Sequence, residues 1–151
     1  MIELTFFLDP VAKQRPRFTS HRGKPRAYTA PKTELFENAI KALAYPMMRD
    51  QKPIEGPAVV WIDFYFKKPK SSKNKHHVVK PDNDNLQKSV FDALNGICWN
   101  DDSQIVEIHS RKLYGEKSKI HLRAYSHDEI VSVSHISERH LRRCAPRTRA
   151  D

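Results

Sequence analysis

Apolar and polar positions alternate from the second residue onward: Ile2, Leu4, Phe6 and Leu8 are interleaved with Glu3, Thr5 and Phe7. A period of two predicts a first strand with one buried face, and Pro10 ends it. After Pro31 the period lengthens. Leu35, Phe36, Ala39, Ile40, Leu43 and Ala44 recur at helical spacing, Pro31 suits a first helical turn, and Pro46 is expected to stop the helix. A turn at Pro53, Gly56 and Pro57 leads to a second strand over residues 58–66. Val60, Ile62, Phe64 and Phe66 line one of its faces, and Val59, Trp61, Asp63 and Tyr65 line the other. Trp61 and Tyr65 could stack on bases or cover a dimer surface, but a second packed face is the simpler reading, with Asp63 solvated.

A second helix is expected to bury Leu86, Val90, Ala93 and Leu94 and to end at Asn95-Gly96. Asp84 and Gln87 have capping-box spacing, which puts its start at Asn85 or Leu86. Cys98 and Trp99 read as core. Residues 105–114 form a strand, residues 115–118 a hairpin connection, and Ile120, Leu122 and Ala124 the last core strand. The order β-α-β-α-β-β predicts an α/β (α+β) domain over residues 1–126, a small mixed sheet packed by two main helices. A length of 151 residues suits one such domain. Residues 127–151, polar and basic, read as a flexible tail.

Charge changes this picture most. Lys and Arg outnumber Asp and Glu by 27 to 18, a net charge of +9 that suits a polyanionic partner. Two runs carry much of it. Lys13, Arg15, Arg17, Arg22, Lys24 and Arg26 share the 11–31 segment with Phe18 and Tyr28, with no carboxylate and no helix or strand period. A solvated loop would explain any one of these cations. Together, uncompensated, they favour an arm that binds a phosphate backbone. Lys67, Lys68, Lys70, Lys73, Lys75 and Lys80 form the second run with His76 and His77. Its Ser71, Ser72 and Asn74 suggest a flexible loop that orders on binding. No long apolar run or leader-like segment is present, so neither a membrane partner nor secretion is expected, and the two isolated cysteines fit a cytoplasmic setting.

Within this basic chain lies one acidic island. Asp82 and Asp84 precede a helix, Lys88 follows one turn later with Asp92 beyond it, and Asp101-Asp102 appear after the chain has doubled back. Capping would account for Asp82 and Asp84, and an ion pair with Asp84 or Asp92 for Lys88. Two acids exceed what a cap needs, however. Carboxylates from separate segments suit a hard cation such as Mg²⁺. Phosphodiester hydrolysis then follows as a candidate chemistry. A DNA-binding structural protein, whose acids only cap and pair, is the competing class.

The residues Lys80-Pro81-Asp82-x-Asp84-Asn85-Leu86-x-Lys88, with Asp92-Ala93-Leu94 and Asp101-Asp102-x-Gln104-Ile105-Val106, closely resemble the RusA family of Holliday-junction resolvases. Arg15-Pro16-Arg17 and Tyr28-Thr29-x-Pro31 extend the resemblance toward phage-type relatives, over roughly residues 1–126. It implies a homodimeric, Mg²⁺-dependent endonuclease, with Mn²⁺ able to substitute, that resolves four-way junctions by paired symmetric nicks in DNA recombination and repair. By the same resemblance the essential carboxylates are Asp82, Asp84 and Asp102, with Asp101 as a further ligand candidate, and the important lysine is Lys88. The expected DNA contacts are Lys13, Arg15, Arg17, Arg22, Lys24, Arg26, Lys73, Lys75 and Lys80. Forks and flaps remain alternative substrates.

Overall fold

The computed structural model describes residues 1–129 other than 16, 22, 23 and 29, with residues 17–21 and 24–28 described in backbone only. The tail from residue 130 onward lies outside the described residues.

The first strand, β1 (Ile2–Phe6), buries Ile2, Leu4 and Phe6 as its alternation requires. Two short strands follow in the 11–31 segment, β2 (Arg17–His21) and β3 (Lys24–Tyr28), paired antiparallel as a separate ribbon. The sequence predicts no strand there. A ribbon held by its backbone ladder needs no apolar alternation, so hydrophobic periodicity is silent about it.

Helix α1 (Pro31–Met47) begins at Pro31 as expected but runs through Pro46. Proline in the last turn forfeits a single hydrogen bond, and Met48 N–H still closes onto the Ala44 carbonyl at 2.9 Å. Its buried stripe is Thr33, Phe36, Ile40 and Ala44, narrower than expected, and Leu35 is 71% exposed. Strand β4 (Ala58–Lys67) follows, then α2 (Asn83–Leu94), a one-turn 3₁₀ helix (Asp102–Gln104), β5 (Ile105–Gly115) and β6 (Lys119–Ser126).

The main sheet has the order β1-β6-β4-β5, with β4 antiparallel to β6 and parallel to β5. The short 116–118 connection is therefore not a hairpin, because β4 lies between the two strands it joins. Crossing two strand spacings needs about 10 Å, within reach of a few extended residues. The crossing is tied to the end of β4 by Lys68 N–H on the Gly115 carbonyl at 2.9 Å and Lys67 N–H on Ser118 Oγ at 3.3 Å.

Register puts Leu4, Leu122 and Ile62 side by side on one face, and Phe36 and Ile40 of α1 join Leu86, Val90 and Leu94 of α2 against it. Cys98 and Trp99 are wholly buried in this core, as the sequence suggests. Burial pushes the Cys98 thiol up to about 12, so it stays neutral. The opposite face carries no helix among the described residues. There Trp61 stacks on His109 with ring centroids 3.9 Å apart, and His121 Nε2 lies 2.8 Å from Glu3 Oε1. Asp63, expected to be solvated, is buried, and Arg111 grips both its oxygens at 2.6 Å. That pairing holds the Arg111 guanidinium further above its already high range. No described helix is long and apolar enough to cross a membrane.

Candidate active site

The acidic island sits where α2, the 3₁₀ turn and the edge strand β5 meet. Asp82 occupies the N-cap of α2 with extended backbone, yet its exposed side chain makes no capping bond. The helix starts at Asn83, earlier than the capping-box spacing of Asp84 and Gln87 predicts. Tertiary contact explains the shift. Ser110 Oγ on β5 donates to Asn83 Oδ1 at 2.8 Å, and the Asp82 carbonyl already accepts from Leu86 N–H at 3.2 Å. Asp84 is exposed in the first turn, with Asn85 Nδ2 3.4 Å from its Oδ1. Two carboxylates are thus free of capping duty at the head of α2.

Lys88 lies one turn after Asp84, about 6 Å along the helix axis. Its ammonium bridges Asp92 Oδ1 at 2.9 Å and Asp102 Oδ2 at 3.0 Å. The sequence reading pairs Lys88 with Asp84 or Asp92; the structure selects Asp92 and adds Asp102. Hydrogen bonds to these two carboxylates push Lys88 up to about 12, so it remains an ammonium at neutral pH. Such a group can donate to a phosphate oxygen but cannot act as a general base.

Asp101 and Asp102 have different tasks. Asp101 Oδ1 accepts from Ser103 N–H at 2.9 Å, and Gln104 Oε1 accepts from Asp101 N–H at 3.1 Å, completing a capping box. The bond from Ser103 holds the Asp101 carboxyl below the usual range. Gln104 Nε2 also donates to the Ile54 and Gly56 carbonyls at 3.2 and 2.9 Å, pinning the turn to the segment before β4. Asp102 is left to face α2 and meets Lys88.

The carboxylates suit a hard divalent cation by donor chemistry. Their side chains are not gathered around one point, however. Among the described residues no three His, Cys, Asp or Glu converge in a way that could hold a metal ion. The structure brings Asp102 to Lys88, and places Asp82 and Asp84 at the head of the same helix.

The expected DNA contacts divide. Arg15, Lys73, Lys75 and Lys80 are exposed. Arg17, Lys24 and Arg26 lie on the ribbon backbone with side chains outside the described residues, and Arg22 lies wholly outside them. Lys13 is no free cation. Its ammonium pairs with Glu37 of α1 and with Asp92 Oδ2 at 3.0 Å. Burial opposes its charge, but the bonds to these two carboxylates prevail and hold it raised.

The 67–80 segment, expected to be flexible, is docked on the outer edge of β5. His77 N–H donates to the Lys112 carbonyl at 3.0 Å, and Tyr114 N–H to that of Lys75 at 2.9 Å. His77 is buried against Phe66, 3.9 Å between ring centroids. Lys112, which sequence reasoning missed, donates to the Val79 and Pro81 carbonyls at 2.7 and 2.6 Å and so holds the entry to Asp82. Nothing local could flag it, since its partners are some thirty residues away.

The family model described as endodeoxyribonuclease RusA matches residues 8–125, which include the acidic island and the basic segments before it. The chain is also 34% identical over 131 residues to the uncharacterized protein YqaN of Bacillus subtilis (strain 168), covering 79% of this chain and 92% of that protein. With a mixed sheet, two helices on one face and Asp82, Asp84, Lys88 and Asp102 at one corner, all inside the matched span, this chain belongs to the RusA endodeoxyribonuclease family.

Proposed function

We propose that the protein is a Mg²⁺-dependent, structure-selective endonuclease that resolves four-way DNA junctions by paired symmetric nicks. The observation that carries this reading is the contact of Lys88 with Asp102 beside two uncapped aspartates at the head of α2, within the span matched by the family. Asp82, Asp84 and Asp102 would hold the cation, Mg²⁺ or Mn²⁺, with Asp101 engaged in capping their turn. The chemistry such an ion would supply is activation of a water and relief of charge on the phosphate. Lys88 contributes a fixed positive donor for a phosphate oxygen as charge builds up in the transition state. Arg15, Lys73, Lys75 and Lys80 would engage the backbone of the arms. Two symmetric nicks call for two sites related by a two-fold axis, hence a homodimer.

A second reading, a branched-DNA-binding protein that does not cut, is favoured by two observations: Asp102 is paired with Lys88, and no three-acid cluster forms among the described residues. Nicking of a labelled four-way junction, against linear duplex and a fork, with and without Mg²⁺, separates the two. The endonuclease reading expects paired symmetric nicks on the junction only, lost in Asp84→Asn while binding is kept or tightened. Equal cutting of forks would broaden the substrate to other branches. Tight binding without cutting under Mg²⁺ or Mn²⁺ would leave the acids architectural.

A further inference from the structure

Five ionised groups of alternating sign run from the helical layer to the acidic corner: Glu37 on α1, Lys13 before the ribbon, Asp92 and Lys88 on α2, and Asp102 on the 3₁₀ turn. We propose that Asp92 and Lys13 are positioning residues for strand cleavage, Lys13 fixing Asp92 and Asp92 holding the Lys88 ammonium beside Asp102. The inference rests on the endonuclease reading and deepens it.

Asp92 divides its oxygens, Oδ1 to Lys88 at 2.9 Å and Oδ2 to Lys13 at 3.0 Å. A lysine ammonium on a flexible stem has no preferred direction of its own. Lys88 has a side chain 56% exposed, and acceptors on two sides give it one. The other four side chains are only 15–25% exposed, where attraction between charges is less screened by solvent. Glu37, Lys13 and Asp92 are therefore the firm part of the network, and Lys88 is its most exposed member, held between Asp92 and Asp102.

Lys13 also joins the site to the basic arm. Its own N–H donates to the Asn85 carbonyl at 2.8 Å, Ser89 Oγ donates to the Val11 carbonyl at 2.5 Å, and Gln14 N–H donates to Thr33 Oγ1 at 3.2 Å. The segment leading into the ribbon is thereby stitched to α1 and α2. A pull on the ribbon by bound DNA would reach Asp92, and through it Lys88, by one side chain. Lys13 acts as a fastener between the DNA-binding arm and the catalytic helix, in place of the phosphate contact its sequence context suggests.

The test is single-turnover cleavage of a four-way junction by the full-length protein carrying Asp92→Asn, Lys88→Met, both changes, Lys13→Met or Lys13→Arg. Junction affinity is measured in EDTA, and melting temperatures are measured without metal. Asp92→Asn should slow cleavage roughly 10–100-fold, as loss of a supporting hydrogen-bond partner does. Its affinity should change less than about threefold, and the double variant should cut no slower than Lys88→Met, because residues acting through one another are non-additive. Lys13→Arg should restore most of what Lys13→Met loses, and the melting-temperature losses of Asp92→Asn and Lys88→Met should likewise fail to add. Unchanged cleavage in Asp92→Asn, or losses that multiply in the double variant, would reduce the pair to structural support. Should Lys13→Met fail to fold, Asp92→Asn and Lys13→Arg still decide. A wild-type protein that binds junctions without cutting removes the endonuclease reading and this role together. Wild-type cutting that is indifferent to Asp92 removes this role alone.

Discussion

Asp101 and Asp102 are neighbours in the chain and opposites in use. Asp101 folds back on its own turn and satisfies backbone N–H groups, whereas Asp102 reaches across to the Lys88 ammonium. Asparagine is as good a cap as aspartate, so Asp101→Asn should leave melting temperature and junction cleavage close to wild type. Asp102→Asn keeps the side chain's shape but surrenders its charge. Its cleavage rate should fall by roughly two to three orders of magnitude, the cost of losing one electrostatic element of a preorganised site. A single gel assay of both variants checks the contrast, and equal loss in both would make the two acids interchangeable. Lys88, held at about 12, should contribute no titration to the pH–rate profile near neutrality.

At the scale of elements, the segment from Lys75 to Pro81 matters because it delivers the chain to Asp82. It is held by two backbone bonds to β5, by Lys112 beneath the Val79 and Pro81 carbonyls, and by His77 stacked on Phe66. Burial and the nearby Lys112 charge lower the His77 pKa below its ordinary 6.5, and its Nδ1 has no hydrogen-bond partner. The folded state therefore prefers neutral imidazole. This contribution to stability is whole above pH 6.5 and is lost as pH falls toward the lower folded value. His77→Phe should keep the stacking, remove the orphaned nitrogen and flatten the acid side of the stability–pH curve. Melting temperatures between pH 5 and 8 would show it, and an unchanged acid slope would shift the sensitivity to other groups.

For the whole molecule the governing quantity is charge. A net +9 with exposed Lys73, Lys75 and Lys80 on the segment leading to the site should make junction binding steeply salt-dependent. Replacing all three by glutamine should weaken binding and reduce the slope of log Kobs against log salt by roughly two to three, about 0.9 for each phosphate no longer neutralised. The same titration with Lys13→Met should leave the slope unaltered, because Lys13 is spent on Glu37 and Asp92. A second whole-molecule consequence concerns the sheet face opposite α1 and α2. Arg111→Met strands the buried Asp63 carboxylate and should cost about 1–3 kcal/mol, less than for a fully buried pair because the guanidinium is half exposed. Urea denaturation would measure it.

Local pattern by itself determined the strands of the main sheet, the two helices and the motif that marks the family. The reason is that burial on one face writes its period into the chain: Ile2, Leu4 and Phe6, or Leu86, Val90 and Leu94, report their faces unaided. The acidic motif was equally legible, because carboxylates before a helix exceed what capping requires. Only the tertiary structure decided how those pieces meet. It put β4 between β5 and β6, paired β2 with β3 where no apolar period exists, and docked the lysine-rich segment on β5. It gave Asp101 to a cap and Asp102 to Lys88, and it paired Lys13 with Glu37 and Asp92. Each of these is a choice among polar partners far apart in sequence. Hydrogen-bonding groups and charges accept many partners equally well, so nothing in the local sequence ranks them until the core has fixed which ones come within reach.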